Sequence, residues 1–505
     1  MRLLDRRRLL TSGAAAAVFA GTAIPGLGPA KRGGRLRAGL SGGSPEDSWD
    51  ARNHAGLFMI AAAQGAVFDT LTEVAPDGSL RGELATRWQA RADARVWTVD
   101  LRQDAVFHNG RPFSAEDVIA SLELHLDPRV CSPVRSLVAE MIEIRKISNY
   151  QVRLTLIDGN VDLPYLLADY HLLMYPAGQI AQAMAEGIGT GLYKVEHFEP
   201  GHRFIGQRVH EHYRDGQSGW FDEVDFIALN SRAERREALQ TRRVDVADQL
   251  TTMPFEIPHI RLKKVIGNQH LRLAVTDRAT PDQAWNLIRG LKHGLDRQAL
   301  LDRLFDGAGR LGADAPIGPA NRSFDAGLLP LSFDPEVARA HFASAGFGHE
   351  KVLCVALPTS APFTVAELAD LSLDLLPGSR QQLRFVPAAA SDPPAEVEMS
   401  LGYGRAIEDW ALSTGPGKAL GWMLQRLPST QFDRQRRAAR SERDSAIRRR
   451  YYINMQHQLR DAGMMVVPVF ADFSHAVHSR LASPSQIGSL WPLDNGRLAE
   501  RWWMA

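Results

Sequence analysis

Five residues near the start of the chain match the pattern of a serine nucleophile. Gly39-Leu40-Ser41-Gly42-Gly43 fits G-x-S-x-G, in which a serine on a sharp strand-to-helix turn works with an acid and a histidine. The next residues, Ser44-Pro45-Glu46-Asp47, suit a loop better than a helix. We therefore predict a loop after the first strand in which Ser41 and Gly42 contact a ligand. A secreted serine hydrolase that uses Ser41 is the alternative.

Two further patterns suggest cofactor or metal chemistry, but their local context argues against it. Gly307 to Gly312 fits G-x-G-x-x-G, and dinucleotide binding requires that loop to follow a strand and open a helix. Here it follows a predicted helix, which favours a loop that ends the helix. His210-Glu211-His212 lacks the spacing of a zinc-protease helix, and His475 with His478 has no third ligand nearby. We predict no catalytic residue, no metal and no cofactor.

The elements that would position a site are clearest between residues 97 and 122. Trp97, Val99 and Leu101 alternate with polar residues, which is the period of a half-buried strand. Asn109-Gly110 supplies a tight turn. Ser114 is predicted to cap the following helix, because acidic residues fill its first turn.

Near the end of the chain, residues 434–463 are predicted to form one helix. Ile447, Tyr451, Met455 and Leu459 recur every four residues on one face. The helix carries many arginines, but no aromatic stacking platform or DNA-binding motif accompanies them, so we expect a solvated outer face and no nucleic acid. Residues 464–470, MMVVPVF, predict a buried strand.

Composition limits the possibilities further. A chain of 505 residues with 45% hydrophobic and 23% charged residues is predicted to form about three folding units. Its formal net charge of +1 gives no field strong enough to attract nucleic acid or a membrane. Cys131 and Cys354 are predicted to be unpaired and buried.

The first thirty residues are predicted to be an export signal. Arg6-Arg7-Arg8 precedes an apolar run from Leu9 to Ala23, which resembles a twin-arginine signal. An ordinary secretory signal is the alternative. No cysteine follows the small residues at which cleavage is expected, so we predict a periplasmic protein without a lipid anchor.

Several phrases of the sequence resemble the solute-binding proteins of peptide/nickel ABC importers, family 5. The most specific is FHNGRPFSAEDV, at residues 107–118. Leu192 stands where the family usually has proline, and Arg243 where it has glycine. The other matching phrases are Gly189–Val195, Phe221–Val224, Ala238–Asp245, residues 294–307 and residues 333–347.

This resemblance implies an α/β, periplasmic binding protein-like fold of class II. Two lobes with an extra inserted domain would close about a hinge over a cleft. The implied boundaries are a signal peptide at 1–30, domain I at 31–75, 200–272 and 470–505, domain II as an insertion at 76–199, and domain III at 273–469.

The implied function is capture of an oligopeptide-like solute and its delivery to an ABC permease and its ATPase, by a monomer that is not an enzyme. Peptide-binding relatives hold the ligand's amino group with an acidic residue near a "W…DP" phrase. The matching region contains Tyr403, Arg405, Asp409 and Trp410, without the DP. Asp409 is the candidate for that role, and the alternative is that Glu408 and Asp409 cap a surface turn.

Other functions stay open at this point. Within the family the ligand could be a nickel chelate, haem, an opine or a sugar. A regulator with a solute-binding-like sensor domain is disfavoured, because an export signal stands where a DNA-binding domain would be.

The export signal gives a first prediction. Replacing Arg6, Arg7 and Arg8 with lysine keeps the charge but removes the planar guanidinium groups that a receptor can recognise. We expect the precursor to accumulate in the cytoplasm, as measured by cell fractionation and immunoblotting. An undiminished periplasmic yield would indicate the general secretory route.

Overall fold

The computed structural model describes residues 30–248, 257–276, 279–347, 352–357, 383–387, 395–403, 405–413 and 429–505. Residues 1–29 of the predicted export signal lie outside this part of the chain.

One large mixed sheet runs through most of the described chain. Its strands follow the order β15-β14-β16-β12-β18-β11-β1-β10-β9-β8. In addition, β13 pairs with β18, and β17 pairs with β12. The bounds are β1 Arg35–Leu40, β8 Tyr193–Glu199, β9 Arg203–Arg208, β10 Glu223–Ala228, β11 Val246–Asp248, β12 Ile260–Val275, β13 Gly309–Leu311, β14 Leu353–Leu357, β15 Leu383–Pro387, β16 Val397–Gly402, β17 Met465–Val466 and β18 Val469–His478.

A separate antiparallel sheet of four strands, in the order β4-β5-β7-β6, lies within predicted domain II. Its central β5, Val96–Leu101, alternates between half-buried and buried residues, which confirms the predicted strand. Ser114 and Asp117 form a capping box at the start of the next helix, which confirms the predicted cap. The remaining strands are β2 Thr72–Val74, β3 Leu80–Gly82, β4 Ala85–Ala90, β6 Met141–Ser148, β7 Gln151–Leu156, β19 Leu481–Ala482 and β20 Trp503–Met504.

Apart from the short segment Pro492–Asn495, whose backbone is partly left-handed, thirteen α-helices of the described residues pack on these sheets or connect their strands. They are α1 Leu57–Ala62, α2 Ala115–Leu124, α3 Arg135–Ala139, α4 Leu163–Leu166, α5 Ile180–Glu186, α6 Arg232–Gln240, α7 Pro281–Gly294, α8 Arg297–Phe305, α9 Pro335–Ser344, α10 Glu408–Ser413, α11 Ser429–Ser441, α12 Ser445–Ala462 and α13 Leu498–Arg501.

The long strands β12 and β18 connect the two halves of the large sheet. From Ile260 to Val265, β12 pairs with β18. Beyond a bulge, residues 270–275 pair with β16. Gly267 lies in this bulge, where an added Cβ would be 3.0 Å from the Ala471 carbonyl oxygen. A side chain at this position would crowd β18. The bulge itself is the place at which the two antiparallel strands can bend as a hinge.

Each half of the sheet has its own hydrophobic core. Val477 of β18 belongs to the core formed by the N-terminal half and the C-terminal tail, whereas Val469 and Ala471 of the same strand belong to the core around α7 and α9. Ile407 and Trp410 lie in predicted domain III but pack in the first core. The two halves therefore meet in a closed arrangement.

Ion pairs also cross between predicted domains II and III. Arg440 bonds both carboxylate oxygens of Glu140, with Nη1 at 2.9 Å from Oε1. Arg322 Nη2 lies 3.1 Å from Asp162 Oδ1. Because each ion pair joins a residue of predicted domain II to a residue of predicted domain III, both depend on closure of the two halves.

Two predicted elements near the C-terminus were wrong in extent. The helix predicted at 434–463 is two helices, α11 and α12, because Asp444 caps the second one by accepting from the amides of Ala446 and Ile447. Ile447 is 41% exposed and so lies off the buried face. The strand predicted at 464–470 is interrupted between β17 and β18, where Pro468 has no N–H to donate to a ladder.

The two cysteines differ in their surroundings. Both are unpaired, as predicted, and Cys354 is buried. The prediction that Cys131 is buried was wrong, because it lies exposed in the connection between α2 and α3.

The ion pair of Arg440 gives a second prediction. Glu140→Gln removes one charge partner of a guanidinium that is only 4% exposed, so we expect the open form to become more populated. Small-angle scattering should show a larger radius of gyration than in the unchanged chain. Glu143→Gln, three residues further on in β6, is the control, since Glu143 bonds Thr155 within its own sheet. Equal radii for both variants would contradict a closing role for Arg440.

Candidate functional site

A cavity of about 50 Å³ lies where the three predicted domains meet. Asp169 and Tyr170 line it from predicted domain II, Arg405 and Trp410 from domain III, and Trp491 from the C-terminal segment of domain I. A space of this size holds only one or two water molecules. A larger ligand therefore requires the halves to separate.

At the centre of the site, an ion pair joins the two halves. Arg405 Nη1 donates to Asp169 Oδ2 at 2.8 Å, and Trp410 Nε1 donates to the same oxygen at 2.9 Å. Burial alone would raise the pKa of Asp169, but the Arg405 and His171 charges reverse the effect and lower it. Asp169 is therefore an ionised carboxylate although it is almost fully buried.

Aromatic rings surround the guanidinium of Arg405. Its central carbon lies 5.2 Å from the centre of the Tyr170 ring and 5.6 Å from that of Trp410. Trp491 stacks on Tyr403 with centres 4.1 Å apart and meets Tyr170 edge-on at 5.1 Å. Such rings provide flat apolar walls and attract cations to their faces.

A second buried arginine lies close to Arg405. Arg272, on β12, donates from Nε to Ser400 Oγ at 3.2 Å. Burial lowers the pKa of Arg272 to about 10, and the Arg405 charge contributes to the shift, despite the opposing charge of Glu398. Two guanidinium groups that repel each other in a site of low polarity favour an anion between or beside them.

Trp491 is held by an unusual turn. Leu493, Asp494 and Asn495 have φ angles of 53°, 64° and 60°, and Gly496 follows at 75°. The Asn495 side-chain oxygen accepts from the backbone amides of Leu490 and Trp491, at 3.0 and 3.3 Å. Left-handed backbone at non-glycine residues costs free energy, and it persists where surrounding contacts hold it. Here it fixes the aromatic wall of the cavity.

A network of buried charges lies behind this wall. Arg497, which lines the cavity, bonds Glu83 at 2.7 Å and Glu500 at 2.9 Å, and Arg214 bonds the same two carboxylates. Oxygens of Asp69, Glu83 and Glu500 lie within 4.8 Å of one another, as metal ligands would. The two guanidinium groups already supply the positive charge there, so these carboxylates do not fit a metal.

Five of the six predicted site residues fall into two groups. Arg405 and Trp410 line the cavity and Tyr403 stacks against its wall. Ser41 and Gly42 lie after β1, outside this cavity. The Ser41 hydroxyl donates to Asp248 Oδ2 at 2.6 Å, and the Gly42 amide donates to Asn230 Oδ1 at 3.0 Å.

Asp409 belongs to neither group, because it lies behind Trp410. Its oxygens are 3.2 Å from Arg436 Nη1 and 3.5 Å from Arg440 Nε. Burial raises the pKa of Asp409, although these arginines oppose the rise. Glu408 accepts from the Ser323 amide at 2.6 Å. Both acids are buried, so they do not cap a surface turn.

The other patterns have structural roles in the described residues. Gly307 ends α8, and β13 follows it, so no helix opens after this glycine loop. His212 bonds the Thr190 carbonyl oxygen at 2.8 Å through Nε2. His475 is buried and accepts from the Leu493 amide.

Sequence reasoning missed Asp169, Tyr170, Arg272 and Trp491. They come from three distant parts of the chain, and none stands in a recognisable motif. No local signal in the sequence could have brought them together.

A sequence profile for "Bacterial extracellular solute-binding proteins, family 5 Middle" matches residues 79–370, more than half of the chain. The chain belongs to this family. The nickel-binding periplasmic protein of Escherichia coli (strain K12) is 22% identical over 301 residues, which are 56% of each chain. Di/tripeptide-binding protein 1 of Pseudomonas aeruginosa (strain UCBPP-PA14) is 24% identical over 64% of this chain and 66% of the relative. The matches thus cover about half to two thirds of these relatives.

Solved family 5 structures have the same fold. A periplasmic binding protein from A. tumefacien R10, solved with agropinic acid, is 21% identical, with a TM-score of 0.79 over 94% of this chain and 99% of the other. The DppA protein of Helicobacter pylori, solved with the peptide STSA, is 17% identical, with a TM-score of 0.76 over 93% and 98%. The predicted two-lobe α/β fold is confirmed.

Family 5 consists of bacterial extracellular solute-binding proteins. Such proteins are periplasmic and deliver ligands to ABC permeases, and the relatives are transport proteins, not enzymes. The described helices include none with the length and apolar character needed to cross a membrane.

The contact of Ser41 gives a third prediction. In a serine triad a histidine lies between the serine and the acid, whereas in the described residues Ser41 bonds Asp248 directly. Ser41→Ala should reduce the free energy of unfolding by about 1.5–3 kcal/mol, because a hydrogen bond to a buried carboxylate is lost. Chemical denaturation measures this loss, and Ser44→Ala, next to exposed Glu46, is the control. Ester turnover that disappears in Ser41→Ala would instead support a hydrolase.

Proposed function

We propose that the protein captures a small peptide-like solute with a free carboxylate and delivers it to an ABC permease and its ATPase. Arg405 would bind the carboxylate, and the aromatic rings around it would hold the rest of the ligand. The observation that carries the proposal is the buried guanidinium of Arg405 between the two halves of the protein.

The hydrogen bonds of Arg405 support this role. A guanidinium group has five N–H donors. Among the described residues, Arg405 donates from Nη1 to Asp169 and from Nη2 to the Tyr170 hydroxyl, at 3.5 Å. Donor capacity therefore remains for a ligand. A carboxylate that binds an arginine through two parallel hydrogen bonds is held in a fixed orientation.

Closure would couple binding to transport. The cavity of this closed arrangement is too small for a peptide-like ligand. We infer that the ligand enters an open form and that the halves then close around it less completely than they do here. Closing becomes more favourable when a ligand contacts both halves at once, because only then are all contacts made. The permease would recognise the closed, loaded form.

The role of Asp409 changes in this proposal. Its two arginine partners already compensate its charge, so it is less suited to hold a ligand's amino group. We place Asp409 instead among the residues that support Trp410. Ser41 and Gly42 would contact only a ligand long enough to reach beyond the cavity.

A more anionic ligand is the second candidate. The proximity of Arg272 to Arg405 favours more than one negative charge in the ligand. An opine such as agropinic acid, found in one structural neighbour, or a nickel chelate, suggested by the nickel-binding relative, has this character. We also propose that the protein acts as a periplasmic monomer.

A thermal-shift screen tests the proposal. A ligand that binds only the folded protein stabilises it by about 2.7 kcal/mol at a hundredfold excess over Kd, so peptides of two to eight residues should raise the melting temperature. Arg405→Lys keeps the charge but loses the planar pair of donors, and we expect affinity to fall about tenfold or more.

The control variant is Arg450→Lys, at an exposed position of α12, which should leave the shift unchanged. Amidation of the peptide's C-terminus should abolish the shift, because it removes the carboxylate. A shift given only by an opine or a nickel chelate would replace the peptide assignment with the second candidate. Equal affinity in Arg405→Lys would remove Arg405 from the site.

A further inference from the structure

His171 is buried next to the ion pair, and both of its ring nitrogens contact oxygen atoms. Nδ1 lies 2.6 Å from Asp169 Oδ1, and Nε2 lies 3.0 Å from the backbone carbonyl oxygen of His54. The backbone amide of His171 also donates to Asp169 Oδ1, at 3.1 Å. His171 is 1% exposed, so no water replaces these partners.

These contacts fix the protonation state of the ring. A carbonyl oxygen can only accept a hydrogen bond, and so can an ionised carboxylate. Asp169 is ionised, since Arg405 and Trp410 donate to its other oxygen. His171 must therefore donate from both nitrogens, and only the imidazolium cation does so.

The other groups around His171 are either neutral or already paired with an opposite charge. Burial lowers the pKa values of His54 and His125 to about 4, so both are neutral at pH 7. Asp50 and Arg52 form an ion pair with each other at 2.7 Å. The Tyr170 ring lies over the His171 ring, with centres 4.0 Å apart. Asp169 and Arg405 complete the charged groups that face it.

We propose that His171 is a positioning residue whose positive charge, set by its two oxygen contacts, makes the cleft selective for anionic ligands. The inference rests on the proposed function, because it concerns the same arginine. Asp169 carries one negative charge, and His171 and Arg405 carry one positive charge each. The group of three therefore has a net charge of +1, which a ligand carboxylate neutralises.

A neutral His171 would have two consequences. Asp169 would cancel the charge of Arg405 completely, and the preference for an anion would be lost. One ring nitrogen would also carry a lone pair directed at an oxygen atom, which is repulsive. The observed orientation of Asp169 and the net positive charge of the group therefore both require the doubly protonated ring.

Nitrogen NMR of the ligand-free protein, labelled with ¹⁵N at the histidine rings, tests the inference directly. At pH 7.5 an unperturbed histidine is mostly neutral, and we expect one ring with both nitrogens protonated. Its signals should be absent from His171→Gln and present in His457→Gln, which changes a histidine that is 44% exposed. Through-bond assignment in the unchanged chain identifies His171 even if the first variant does not fold.

Asp169→Asn provides a second measurement. An amide side chain does not stabilise the cation, so the His171 ring should lose one proton at pH 7.5 in this variant. A singly protonated His171 in the unchanged protein at pH 7.5 would overturn the inference, whatever the ligand is. Failure of the proposed function looks different, since Arg405→Lys would then keep full affinity while His171 stays doubly protonated.

Discussion

The pairing of β12 with β18 is the constraint on which the rest of the structure depends. These strands run antiparallel through the middle of the large sheet and contribute to separate hydrophobic cores at their two ends. Two strands can bend at a bulge without losing the hydrogen bonds on either side. Each half can therefore move as a packed body, and the cleft between them can open and close.

Charged groups from both halves are buried together in the closed cleft. Asp169 receives hydrogen bonds from Arg405, Trp410 and His171, which occupy both of its oxygens. A buried carboxylate with fewer partners would be costly. The same contacts leave Arg405 with donors for a ligand, so the arrangement that stabilises the empty closed form also prepares the site for an anion.

The C-terminal segment forms the rear wall of the site. Its left-handed turn holds Trp491 against Tyr403 and Tyr170, and Arg497 ties it to Glu83 and Glu500. Because these charges are paired within the first half of the protein, they do not depend on closure. We infer that the wall keeps its contacts when the halves separate, whereas Arg405 and Trp410, on the other half, change position relative to it.

The sequence by itself determined the family, the fold class and the local elements, since strand alternation at Trp97, capping at Ser114 and the family phrases depend on neighbouring residues. It also indicated Arg405 and Trp410 as site residues. Only the tertiary structure decided that Asp409 faces two arginines, that Asp169, His171 and Trp491 join Arg405, and that residues 434–463 break into two helices. Contacts between residues far apart in the chain leave no periodic signal, and burial, which sets the charge of each group, is a property of the folded protein alone.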